Sequence, residues 1–544
     1  MVQIKSRVDS FKKGIDAEKG RRNREETRIK IRKSKREENL LKRRAMGNSA
    51  MSSMGSSNEL APTTSKSLSF DRTDQNLKFG VENIPELIAV LSNPNSTLEQ
   101  KGNSIFGFRK MLSVEKNPPA KQVIDAGALP FFVDLLQNTD NEKIQFEAAW
   151  ALTNIASTDA TQSIVECGAV PPLIAMLLSR NPDCREQSAW CLGNVAGDST
   201  KLRDYVLQCG GMGPMLQNIS QPASQSLLGN VVWALSNLCR GKPQPSLELV
   251  MPALPYLANL LHSDNKEAQV DALWALSYIS DGENERIQAV MNTGITAKVV
   301  ELLDVESSSI VTPCLRIVGN FATGNDEQTQ AVLDADVLQH TSKLLSNPKK
   351  NIRKETCWLL SNIAAGTRSQ IEHLIKIPAD LCTIIEFVQS SEYEVRKEAT
   401  WVLSNIATSG SSVHVQSIVE LGAIDAICSI LDVADTKITF VALEAIENIL
   451  KVGQNLSRDY VNLVDECDGL DKIESLQTHV DDDVYKLSVK IIETYFGVED
   501  EVENENILPE NDGEHFTFGV SKSLNFDMEN PAATNEQPLT QFNF

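Results

Sequence analysis

The 544-residue sequence is 41% hydrophobic, with six histidines, ten cysteines and a formal net charge of −21. No apolar run reaches membrane-spanning length, and the charged N-terminus lacks the apolar core of a signal peptide. The cysteines form no CxxC pair, and P-loop, GxSxG and HExxH motifs are absent, so the expectation is a non-enzyme without metal or cofactor, its thiols reduced in a cytosolic or nuclear compartment.

In chain order, residues 1–44 come first. They hold 17 Lys/Arg against 7 Asp/Glu, which leaves 35 basic and 66 acidic residues for the rest. A basic arm on an acidic body suggests that the body binds something basic, its own arm included. Few Gly or Pro interrupt the arm, and its composition predicts a helix. Its cations alternate with Glu25, Glu26, Glu37 and Glu38, and stacking aromatics are missing, so an acidic protein partner fits better than direct contact with nucleic acid. Residues 45–79, rich in Ser, Asn and Gly, read as a flexible linker.

From residue 80 to 497 apolar residues recur at helical spacing, broken by Gly, Pro, Asn and Asp. The stretch WALTNIAS from Trp150 returns as WCLGNVAGD, WALSNLCRG, WLLSNIAAG and WVLSNIATSG. Taking Trp150, Trp190, Trp233, Trp274, Arg316, Trp358, Trp401 and Glu444 as a ruler gives intervals of 40, 43, 41, 42, 42, 43 and 43 residues. Second-helix starts such as GALPFFVDLL from Gly127 and GAIDAICSIL from Gly422 accompany it. A period near 42 predicts an all-α, right-handed superhelical solenoid of about ten armadillo-type repeats with a long concave groove. Counting back from Trp150 reaches Phe108 as the ruler position of an earlier unit. DGLDKIESLQTHVDDDVYKLSVKIIETYFG reads as a divergent cap. Residues 498–544 are acidic and poor in apolar residues, a composition that predicts disorder.

Trp and Asn four apart share one helix face, and Asn is a poor helix-interior residue. Five such pairs therefore point to a use. An asparagine ladder offers donors and acceptors to the main chain of an extended peptide, and gaps between indoles take the stems of Lys or Arg. Asp198, Asp271, Glu355 and Glu398 are placed to receive the cationic heads. The ladder breaks where Tyr278 replaces Asn and Arg316 replaces Trp, and a cation there would repel a basic peptide. Two sites are expected. One comprises Trp150, Asn154, Trp190, Asn194, Trp233, Asn237 and Asp271; the other runs through Arg316, Asn320, Glu355, Trp358, Asn362, Trp401 and Asn405.

From about Lys5 to Gly497 the sequence resembles importin alpha, the adaptor family of nuclear import. The resemblance rests on the basic block ending LKRRA, on SNLCRGKPQP (Ser236–Pro245), on WALSYISDG, and on DGLDKIESLQTH and IIETYFG. It implies that residues 1–44 are an importin-beta-binding arm, with Arg21, Arg22, Arg24, Arg28, Lys33 and Arg36 supplying charge. It also implies that the Trp-Asn arrays are the major and minor sites for mono- and bipartite nuclear localisation signals. Asp198 and Thr161 would hold the key lysine of the major site, and Glu398 would contact basic residues in the minor one. Lys42, Arg43 and Arg44 would occupy the major site in autoinhibition. A recycling exportin with Ran-GTP would bind the C-terminal repeats, nucleoporins are further partners, and the protein would shuttle between cytoplasm and nucleus. The loop TDATQSIVEC, between Ser157 and Gly168, is about two residues shorter than the family pattern and lacks its glycine. The rival is a catenin-like armadillo scaffold, which would need neither the Trp-Asn pairs nor an arm ending in KRR.

Overall fold

The computed structural model describes residues 79–114, 117–138 and 141–497, with the pairs 510–511 and 516–517 beyond them. The expectations for the arm, the linker and almost all of the tail lie outside these residues. Within the tail, Glu510–Asn511 and Phe516–Thr517 pair antiparallel, Glu510 opposite Thr517.

Helices account for the body. It opens with two, Ile84–Ser92 and Leu98–Leu112, and continues as nine units of three helices each. Every unit ends in its longest helix, and these stack side by side from one unit to the next. We label them α1 (Leu98–Leu112), α2 (Glu142–Ala156), α3 (Pro182–Asp198), α4 (Gln225–Leu238), α5 (Lys266–Ile279), α6 (Ser308–Ala322), α7 (Lys350–Ala364), α8 (Tyr393–Ser409), α9 (Thr436–Asn455) and α10 (Asp482–Ile491). The ten units match the predicted solenoid.

Local chemistry explains the units. Side chains of Asn141, Ser224, Asn265 and Asp435 accept backbone N–H groups in the first turns of α2, α4, α5 and α9, satisfying donors that a helix start leaves open. In seven of the nine three-helix units the turn from first to second helix carries a residue with positive φ. Glycine supplies it at Gly127, Gly168, Gly210, Gly294 and Gly422, and Asp336 and Asp468 take over in two other units. Leu, Ile, Val and Ala fill one continuous core from Ile84 to Ile491. Cys191 and Cys239 belong to it, and burial pushes both thiols up to about 12, far from a reactive thiolate. No described helix is long and apolar enough to cross a membrane.

Candidate functional site

The asparagine ladder is a physical one, built from inter-unit hydrogen bonds. Asn194 Nδ2 donates to the Thr153 carbonyl at 3.3 Å and Asn237 Nδ2 to that of Gly193 at 2.9 Å. Asn320 reaches Ser277 at 3.0 Å, Asn362 reaches Gly319 at 3.2 Å, and Asn405 reaches Ser361 at 2.8 Å. The acceptor is always the carbonyl one residue before the ladder position of the preceding unit. Each rung thus ties its helix to the one before and fixes which way the carboxamide lies. The ends differ: Asn154 donates to the Ser113 hydroxyl at 3.0 Å, and Asn448 to that of Thr408 at 3.1 Å. Asn194 is fully buried, and its Oδ1 has no hydrogen-bond partner.

The indoles stand one turn before each rung. Trp150 and Trp401 are largely buried, while Trp190, Trp233, Trp274 and Trp358 are half-buried. Trp401 Nε1 is buried without a hydrogen-bond partner. In the interrupted unit Trp274 and Tyr278 stack on each other, centroids 6.0 Å apart and planes 23° apart. Tyr278 cannot make the rung to Ser236, which opens the ladder at that unit.

Arg316 corrects one expectation. Its guanidinium donates to Glu355 at 2.6 Å and lies over the Trp358 ring, 5.2 Å from the centroid. A neutralised, stacked and mostly buried guanidinium repels little. It interrupts the groove by filling the space before Trp358. Glu355 is correspondingly engaged by Arg316, so it is not an open seat for a ligand's ammonium group.

The same triad occurs a second time, which the sequence reading missed. Arg109 binds Glu147 through Nε at 2.8 Å and Nη2 at 3.4 Å. Its guanidinium carbon lies 4.5 Å from the centroid of Trp150 and 4.6 Å from that of Phe106. Ser113, the partner of Asn154, follows Arg109 by four residues. The first unit's ruler position is therefore Arg109, not Phe108. Each Trp array begins with an indole plated by the preceding unit's arginine. The recurring Arg-41/42-Trp spacing, with Glu three before Trp, was the signal available.

The acidic groups divide. Asp198 is exposed at the end of α3, where the helix C-terminus adds negative potential. Asp271 in α5 and Glu398 in α8 are half-buried along the same face. Arg240 Nη2 donates to the carbonyl of Gly197, the residue before Asp198, at 2.6 Å. Thr161 is 2% exposed, and its hydroxyl lies 3.1 Å from the Ala156 carbonyl and 2.9 Å from that of Thr158. In the short loop, Ser157, Thr158 and Thr161 bond the last carbonyls of α2, Thr161 turned inward. Among the described residues no group of three or more His, Cys, Asp or Glu is placed to hold a metal ion.

Comparison with known proteins gives concordant results. A family model described as importin beta binding domain matches residues 7–101. Armadillo/beta-catenin-like repeats match at 116–157, 157–197, 199–240, 242–281 and 325–365, and an atypical Arm repeat at 458–510. Importin subunit alpha-1b of Oryza sativa subsp. japonica is 42% identical over 450 residues, 81% of this chain and 83% of that one. Importin subunit alpha-2 of Arabidopsis thaliana is also 42% identical, over 94% of this chain and 95% of that one. A crystal structure of an engineered protein superposes with a TM-score of 0.69 at 26% identity, covering 76% of this chain and 98% of that one.

Proposed function

This chain belongs to the importin alpha family, and on that premise we propose that its groove receives extended, basic segments of cargo at two places. It is a nuclear import adaptor with an importin-beta-binding domain, not an enzyme. The proposed major site comprises Trp150, Asn154, Trp190, Asn194, Trp233, Asn237 and Asp271, with Asp198 for the ammonium group of the principal lysine. The minor site runs along Trp358, Asn362, Trp401 and Asn405, with Glu398 as the acidic contact and Arg316–Glu355 as its boundary.

One observation carries this reading. Rung Nδ2 groups are consumed by the preceding unit, which leaves the carboxamide oxygens of Asn237, Asn362 and Asn405 to accept peptide N–H groups. An acceptor row selects for an extended main chain, and the indole gaps select for long aliphatic stems that end in a cation. Thr161 supports the lysine pocket by holding the end of α2 rather than by direct contact.

We further infer autoinhibition. Lys42, Arg43 and Arg44 hang on residues 45–79, 35 residues that as a flexible chain would span roughly 30–35 Å. Tethering at that length gives an effective concentration of order mM, enough to occupy the major site until importin beta takes the arm. Arg21, Arg22, Arg24, Arg28, Lys33 and Arg36 are the proposed importin beta contacts. A recycling exportin with Ran-GTP at the C-terminal units, nucleoporin contacts, and shuttling between cytoplasm and nucleus complete the proposal. The test is calorimetry of a monopartite signal peptide against the full chain and against residues 45–544. Binding by neither would overturn the groove assignment; equal binding by both would overturn autoinhibition alone.

A further inference from the structure

The residue before each ladder position is Thr153, Gly193, Ser236, Ser277, Gly319, Ser361 or Ser404. Two glycines interrupt a row of small hydroxyl residues. Neither has a positive φ, so neither is there for backbone freedom. Both lie inside a helix, where glycine is disfavoured relative to alanine.

The neighbouring indoles supply the reason. A Cβ added at Gly193 would stand 2.3 Å from Cζ3 and 2.8 Å from Cε3 of Trp233. One added at Gly319 would stand 2.1 Å from Cζ3 and 2.6 Å from Cε3 of Trp358. These distances are far inside van der Waals contact, and an indole is too rigid to fold its rim away. The same two residues offer their carbonyls to Asn237 and Asn362. Gly197, one turn after Gly193, would bring a Cβ to 3.1 Å from Asn237 Nδ2. A single backbone position therefore seats both recognition side chains of the next unit. Its missing Cβ admits the indole and its carbonyl takes the carboxamide. At the equivalent positions the hydroxyls of Ser236, Ser277 and Ser361 turn back to donate to the carbonyls of Trp233, Trp274 and Trp358 on their own helices.

We propose that Gly193 and Gly319 are positioning residues for peptide recognition, one in each site. Gly193 sets the depth of Trp233 and thus the width of the slot between Trp190 and Trp233. Gly319 does the same for Trp358 and the slot it forms with Trp401. The inference rests on the two-site reading above and says which backbone positions fix the slots.

The experiment uses the full chain saturated with importin beta, Gly193→Ala and Gly319→Ala, and monopartite and bipartite signal peptides measured by calorimetry. Gly193→Ala is expected to weaken both peptides about tenfold, the scale of a displaced, overpacked side chain. Gly319→Ala is expected to weaken only the bipartite peptide. Trp233→Ala supplies the control that separates positioning from general stability. In that background no indole remains to be displaced and only the Ala234 Cβ stays close, at 3.0 Å, so Gly193→Ala is expected to add little further loss. An equal loss in both backgrounds would overturn the inference, and so would unchanged affinity of Gly193→Ala where Trp233→Ala weakens binding. If Trp233→Ala itself changes nothing, the two-site reading falls instead. Should Gly193→Ala not fold, Gly319→Ala with Trp358→Ala repeats the cycle at the second site, with the same outcomes.

Discussion

Replacing Glu147 by Gln tests the plated indole at the start of the first array. Arg109 has a side chain only 2% exposed, and Glu147 is its carboxylate partner through two hydrogen bonds. Gln keeps the shape and one acceptor but removes the countercharge, which leaves a guanidinium between Phe106 and Trp150 without water or a carboxylate. Breaking a buried pair from one side costs about 3–5 kcal/mol. The two ring contacts are present with either residue at position 147 and do not offset this, so a loss of about 3–5 kcal/mol is expected. Converting both partners to methionine removes the buried charge altogether and should recover most of the loss. A repeat array does not unfold as one two-state body, so a single midpoint would blur the effect. Hydrogen exchange resolved by helix is the appropriate assay. Protection should fall in α1 and α2, stay unchanged beyond α3, and return in the double variant. A single-variant effect under about 1 kcal/mol, or a double variant as damaged as the single, would refute the reasoning.

Four further outcomes are expected. Asp198→Lys should weaken a monopartite signal peptide by about 1.5–3 kcal/mol in calorimetry, and unchanged affinity would remove Asp198 from the site. Trp358→Ala combined with Trp401→Ala should weaken bipartite peptides and spare monopartite ones; an equal effect on both would contradict a second site. Residues 1–44 should bind importin beta at low salt and lose affinity steeply as salt rises, read by fluorescence anisotropy, with salt-independent binding counting against the charge argument. Lys42→Ala with Arg43→Ala should tighten cargo binding roughly 10–100-fold without importin beta, and no change would exclude competition by the arm.

The period of the solenoid and the Trp-Asn faces were legible because each depends on residues within one helix or on a fixed repeat. The pairing of Arg316 with Glu355 was not, since it joins adjacent units 39 residues apart and turns an apparent repulsive charge into a neutral plug. The first unit shows the cost of a one-residue slip in the ruler. With Phe108 at the reference position, Arg109 looks like a solvated basic residue; the Asn154–Ser113 bond places it in the Trp row. Thr161 shows a different limit. Its hydroxyl type suits a ligand contact, but the short loop turns it toward the α2 carbonyls, a direction that residue identity does not encode. Gly193 and Gly319 were readable only as a Gly-Asn pair among Ser-Asn pairs, because the indole that requires them comes from the following unit.

On the proposed function, the carboxamide rungs are both fasteners and reading heads. A superhelix that flexes must change the offset between neighbouring units, and each change stretches or tilts an Nδ2–carbonyl bond of about 3 Å. The oxygen on the same amide would then swing away from its peptide N–H. Grip and pitch are therefore mechanically linked: a held peptide acts as a splint along the groove, and bending the superhelix is a way to let the peptide go.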